Sequence, residues 1–312
     1  MKTRTIERLA LVAACAALLA GCETMPTSGG GGGMNLAGVV GSLAGGGGGR
    51  SAGMANGLQD VIEGASAAFK DYTPEEQRHL GQDFASVLLG ARPLLRNAAV
   101  QRYVNEVGWW VAQQADLPKD AKGQPVQFDW RFGVIDSEAV NAYATPGGYV
   151  FVTVGLLRRL GSEAELAGVL GHEISHVVRG HYLAAIKKGG FTQIVGGVVQ
   201  AKAGNAVISS AVVNAVRNIY SKGLDRGDEF DADRHGLLYA ARAGYAPGGL
   251  PTVLHMYAKE SGSDANFQML FNTHPAPQDR ITQLDPLLAG KFAAAGDVTN
   301  NARFLAMRRR LN

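Results

Sequence analysis

Cysteine is nearly absent: 312 residues hold two, Cys15 and Cys22, both near the start. No disulfide framework can staple the rest of the chain, so packing, with any metal the chain binds, must stabilise it. An excess of one charge is also missing. Thirty Lys and Arg oppose 27 Asp and Glu, a formal net charge of +3, which gives no reason to expect a nucleic-acid partner. Nor is there an uninterrupted apolar run long enough to span a bilayer comfortably. The stretch 191–216 comes closest, but Gln193, Gln200, Lys202, Asn205 and Asn214 are spread through it, and Gly196, Gly197 and Gly204 break it. It reads as two helices with a turn near Gly204, packed against or over a site; an interfacial hairpin is the alternative. What is present is 46% hydrophobic residues, enough for a substantial core, and 42 glycines that are largely clustered.

The clusters lie early. Lys2, Arg4 and Arg8 precede an apolar run from Leu9 to Leu19, the pattern of a secretory leader. Leu19-Ala20-Gly21-Cys22 resembles the bacterial lipobox, which implies a leader over 1–21, cleavage after Gly21 and a lipid on Cys22. With Glu23 rather than aspartate after it, the resemblance implies an outer-membrane lipoprotein in the periplasm, tied to the membrane by that lipid. Residues 22–70 then form a tether carrying the glycine runs 29–33 and 45–49. A flexible coil of about thirty residues spans roughly 30 Å. A loosely ordered membrane-proximal segment is the other reading. The expected domain follows over 71–290, with a helical tail over 291–312.

Inside the domain, Thr73-Pro74-Glu75-Glu76 combines a capping Thr, a Pro for the first helical position and a capping-box Glu, predicting a helix to Leu89. Val100, Val104, Val107 and Val111 predict a second over 98–115, with Trp109 and Trp110 as added core residues. The period then changes to two. Val126, Phe128, Trp130, Phe132 and Val134 alternate with polar or small residues, and Tyr149 to Val154 reads as another strand. Two or three antiparallel strands joined by tight turns are expected. Asn141, Ala142 and Tyr143 are the candidate edge that would pair with an extended peptide, although an ordinary hairpin fits them equally well.

Ser162 and Glu165 then cap a helix starting at about Glu163. It carries His172-Glu173-Ile174-Ser175-His176, an HExxH motif. Residues four apart share a helix face, so His172 and His176 can reach one cation together. Glu173 is about 100° away, close enough to reach a water beside that cation without taking a coordination place. One zinc ion per chain is expected, because imidazoles and a carboxylate with an open position suit it. Paired core histidines are the plainer reading of the motif. Gly168 and Gly171 lower helix propensity but would permit close backbone approach. A metzincin third histidine would need Gly at 179 and His at 182; Arg179 and Tyr182 stand there, leaving His181 a supporting or packing role. Downstream, Glu229 and Asp233 are four apart on a predicted helix that stops near Gly244, so one can bind the metal while the other steadies a histidine. Asp228 and Asp231 are expected to point elsewhere.

Four elements in this order resemble the gluzincin peptidases of metallopeptidase family forty-eight: 141–148 (NAYATPGG), 171–176 (GHEISH), 229–233 (EFDAD) and 273–275 (THP) with Arg280. The resemblance covers roughly Tyr72 to Leu288. It implies an α+β, mainly helical zincin-like domain with a small antiparallel or mixed sheet beside the HExxH helix. It also implies His172, His176 and Glu229 as zinc ligands, Glu173 as catalytic base and Asp233 as the carboxylate behind a ligand histidine. His274 matches a family histidine that stabilises the oxyanion or caps the metal, and Arg280 an arginine paired with a nearby acid. The short periplasmic lipoprotein type fits best, since neither tetratricopeptide repeats nor clear membrane spans follow. The implied function is endopeptidase action in envelope protein quality control, on unfolded or misassembled envelope proteins, with outer-membrane assembly machinery as a possible partner. The alternative is a chaperone or assembly factor with a latent site.

Overall fold

The structure, a computed structural model, describes residues 72–189, 210–260, 264–274, 276–290, 292 and 298–311. The expected leader, Cys22, the tether and most of 191–216 lie outside these residues. Those described belong to one unit, Val61–Asn312.

Helix α1 (Pro74–Ala91) begins as the capping residues dictate: Thr73 accepts from the Glu76 amide, and the Glu76 carboxylate accepts from the Thr73 amide. Helix α2 (Ala98–Ala112) buries Val100, Val104, Val107 and Val111. Trp109 and Trp110 are 43% and 52% exposed, contrary to their expected core role. The four valines already occupy the apolar stripe, and the tryptophans fall on flanking faces. Trp110 instead donates its indole N–H to the Ala243 carbonyl.

The sheet contains β1 (Arg131–Ile135), β2 (Ala142–Ala144) and β3 (Tyr149–Thr153) in the order β1-β3-β2. β1 runs parallel to β3 and β2 antiparallel to it, so the sheet is mixed rather than wholly antiparallel. The alternation from Val126 correctly marks burial but overstates pairing. The Val126 amide bonds to the Pro118 carbonyl, so a loop rather than the sheet holds that end. The β2–β3 turn takes Gly147 and Gly148 to φ of 77° and 106°, which side-chain-bearing residues seldom adopt.

Short helix α3 (Val154–Arg159) leads into α4 (Glu163–Val178), the HExxH helix. Every residue of α4 except Glu165 is buried, the polar Glu163, His172, Glu173, Ser175 and His176 included. Ser162 caps it, and the Glu165 carboxylate accepts from Gly161 N–H and the Ser162 hydroxyl. Around α4 pack α2, α7 (Arg226–Arg242) and α8 (Gly249–Lys259). The remaining helices are α5 (His181–Lys188), α6 (Ser210–Lys222), α9 (Gln268–Thr273), α10 (Pro277–Ala289) and α11 (Asn301–Arg308). No helix among the described residues is long and apolar enough to cross a membrane. The end of the chain joins the same core: Phe304, Met307 and Leu311 are buried, and Arg308 donates to the Leu160 carbonyl.

Candidate metal and catalytic centre

Two glycines bring α4 and α7 together. A Cβ at Gly171 would sit 2.5 Å from the Gly236 carbonyl oxygen, and one at Gly236 would sit 2.5 Å from the His172 nitrogen. The crossing is therefore backbone against backbone, which the cost of Gly171 within a helix permits. It sets the first turns of α7 beside the motif on α4.

The consequence is a convergence of four donors. His172, His176, Glu229 and His274 each offer one ligand atom within 4.8 Å of the others, all buried. The Nε2 atoms of His172 and His176 are 3.0 Å apart, and Glu229 Oε1 lies 3.3 Å from His176 Nε2. His274 turns Nδ1 towards Glu229 Oε2 at 3.0 Å and Nε2 towards Glu173 Oε1 at 3.6 Å. Glu229 Oε1 and Glu173 Oε2 are buried without a hydrogen-bond partner. A buried carboxylate oxygen left unsatisfied among imidazole nitrogens is costly unless a cation completes it, so this donor set fits a divalent metal that accepts nitrogen and oxygen.

Behind the donors stands a clamp. Asp233 Oδ1 lies 2.9 Å from His172 Nδ1, and Arg280 grips Asp233 with two bonds of 2.6 and 2.7 Å. Arg280 also reaches Glu229 Oε2 at 3.2 Å. Of the two acids four apart on α7, Glu229 thus faces the donors and Asp233 the rear of His172.

Electrostatics follow from burial and neighbours. Burial pushes the Glu173 carboxyl up, with His274 and His172 offsetting part of the rise. Burial also holds the His176 imidazole well below its usual value, keeping a lone pair free for a cation. Burial would raise Glu229, but His274 and Arg280 hold it well below the carboxylate range. Asp233 is likewise depressed: burial works upward, and the Arg280 charge outweighs it. His274 is raised because Glu229 and Glu173 outweigh the effect of its burial.

The edge strand lies slightly later than expected, at Ala142–Ala144. The Asn141 carbonyl is taken by Thr153 of β3, and antiparallel alternation then turns the backbone of Ala142 and Ala144, not Tyr143, away from β3. The Ala142 amide bonds to the Asn141 side chain, and the Ala144 carbonyl accepts the Tyr220 hydroxyl of α6. Tyr220 had no signal in the sequence beyond helical spacing. An apolar recess formed by Ala142, Val169, Leu250, Val253, Tyr257 and Leu270 adjoins Glu173 and His172. A larger open recess of about 350 Å³, lined by Glu106, Trp110, Tyr245 and Arg303, shares none of the donors.

Residues 95–287 match the profile of Peptidase family M48. The chain belongs to this family. The chain is similar to the beta-barrel assembly-enhancing protease of Yersinia pestis, 27% identical over 235 residues, covering 72% of this chain and 46% of that protein. The mitochondrial metalloendopeptidase OMA1 of Arabidopsis thaliana is 32% identical over 177 residues, covering 55% and 35%. The metalloprotease LoiP of Escherichia coli (strain K12) is 31% identical over 177 residues, covering 54% and 65%. The chain spans less than half the length of the assembly-enhancing proteases it matches. The M48 match includes the HExxH helix, Glu229, Asp233, His274 and Arg280.

Proposed function

We propose that the chain is a zinc-dependent endopeptidase of the bacterial envelope. One observation carries the reading: three imidazoles and a carboxylate converge in a buried site with a second carboxylate alongside, Glu173, whose Oε2 has no hydrogen-bond partner. His172, His176 and Glu229 would hold one zinc ion, which when bound polarises a carbonyl and lowers the pKa of water. Glu173 is the general base. Its raised carboxyl takes a proton from the attacking water and returns it to the leaving amine, a task that favours a pKa nearer neutrality. His274, charged or hydrogen-bonding from Nε2, steadies the developing oxyanion. Asp233 and Arg280 keep His172 in one orientation. The outward Ala142 carbonyl and Ala144 amide, rather than the two groups already bonded to Asn141 and Tyr220, would receive the extended substrate as an added strand.

The substrates on this reading are unfolded or misassembled envelope proteins, and lipid on Cys22 holds the enzyme at the outer membrane. The lipobox-like 19–22 and relatives called beta-barrel assembly-enhancing proteases support this setting. A second reading, an assembly factor whose cleavage is latent, draws on His274 sharing the donor cluster and on the burial of every member. Glu173→Gln separates the two. With zinc retained, cleavage of an unfolded protein should fall at least ~10²-fold, the scale of losing a general base. Digestion at the wild-type rate would remove Glu173 from the chemistry. Full complementation of a deletion strain by the inactive variant would favour the assembly factor.

A further inference from the structure

Each motif histidine has a rear nitrogen that must be occupied if the front one is to face a metal. For His172 the Asp233–Arg280 clamp does this. For His176 the structure supplies something different. Gly180, at φ 70°, turns the chain out of α4 and starts α5 with His181, whose ring returns beneath His176. His176 Nδ1 and His181 Nδ1 are 2.9 Å apart, and both rings are buried. Two imidazole nitrogens at that separation need one proton between them. His176 Nε2 faces His172 and Glu229; with a cation held among them, its free pair belongs there and its proton belongs on Nδ1. His181 Nδ1 is then the acceptor, and a neutral His181 carries its own proton on Nε2.

The far side of His181 enforces that polarity. Its Nε2 lies 3.3 Å from Asp231 Oδ2 and 3.9 Å from Asp228 Oδ1. No linear hydrogen bond forms at Nε2, but a lone pair aimed at two carboxylates would be repelled where an N–H is attracted. Asp231 is itself fixed: Arg179 donates to it at 2.7 Å, Arg234 at 3.2 Å, and His235 Nδ1 lies 3.3 Å away.

We infer that His181 is a positioning residue: with Asp231 behind it, it holds His176 in the Nδ1–H tautomer, leaving Nε2 as the donor to the metal. Glu229, Asp231 and Asp233 thus share one helix and three tasks, facing the metal, backing His181 and backing His172. The inference rests on His172, His176 and Glu229 being the metal ligands.

The test uses the full chain. Zn²⁺ is titrated into metal-free protein against a chromophoric chelator for wild type, His181→Leu and His181→Asn. Asn keeps an acceptor near the place of Nδ1; Leu removes it. Loss of such a supporting partner weakens metal affinity by ~10–100-fold, so Leu should show that loss and Asn should stay within about threefold of wild type. Wild-type affinity in the Leu variant, or equal loss in both, overturns the inference, because a packing role would not distinguish an acceptor from its absence. Nitrogen NMR of histidine-labelled wild type, with and without Zn²⁺, settles the matter even if neither variant folds. A neutral His181 protonated on Nε2 supports the inference, and a cationic or Nδ1-protonated His181 contradicts it. Should wild type take up no Zn²⁺, the peptidase reading fails while the metal-free spectrum still decides the tautomer.

Discussion

At the scale of residues, the centre consists of charges that tolerate burial only in company. Arg280 is 2% exposed and holds Asp233 and Glu229 together. Breaking a buried pair by removing one partner costs about 3–5 kcal/mol, since the survivor keeps its desolvation penalty. Arg280→Ala should therefore lower unfolding free energy by that order in a denaturant titration, and a change under 1 kcal/mol would show the clamp to be dispensable. Much of this site was legible. HExxH and the i, i+4 acids are local patterns whose geometry a helix dictates, so His172, His176, Glu229 and Asp233 could be named before any coordinates. Asp231 could not. Its face of α7 looks solvent-bound until Arg179 and His181 arrive from another element, and only tertiary packing brings them there.

At the scale of elements, the α4–α7 crossing decides whether the donors meet. Ala is the better helix former by about 1 kcal/mol, so propensity alone favours Gly171→Ala. The new Cβ would strike the Gly236 carbonyl, which is backbone and cannot rotate away. Overpacking of this kind costs typically 1–3 kcal/mol, and we expect a net loss of stability with weaker Zn²⁺ binding. A stabilised Gly171→Ala with unaltered affinity, measured by thermal melts and metal titration, would refute close approach as the reason for this glycine. Helix starts were legible from Thr73 and Ser162 because caps are local. Strand direction was not: the period of Val126 to Val134 reports which side is buried, while the parallel partner of β1 is set by residues 149–153. The exposure of Trp109 and Trp110 is not legible either, since large apolar side chains count as core until a neighbouring stripe has filled it.

At the scale of the whole molecule, one apolar cluster runs from Tyr72 to Leu311, without disulfides among the described residues. Stability should then respond to acid through its buried carboxylates. Burial would raise Asp231, yet His181, His235 and Arg179 hold it far below the usual range. A carboxyl depressed on folding stabilises fully above its unfolded value, near 3.9, and that contribution fades as pH falls towards the folded value. Wild type should thus exceed Asp231→Asn most above about pH 5, and the gap should shrink below about pH 4. A pH-independent gap in unfolding free energy would contradict this.

The proposed chemistry needs Glu229 to complete a metal site begun by His172 and His176. The most direct measurement is elemental analysis of zinc in purified wild type and in Glu229→Ala, compared at equal folded concentration. We predict about one zinc per wild-type chain, as a catalytic site of three protein ligands requires, and strong depletion in the variant. A metal-free wild type, or a variant holding zinc as fully as wild type, would contradict the account.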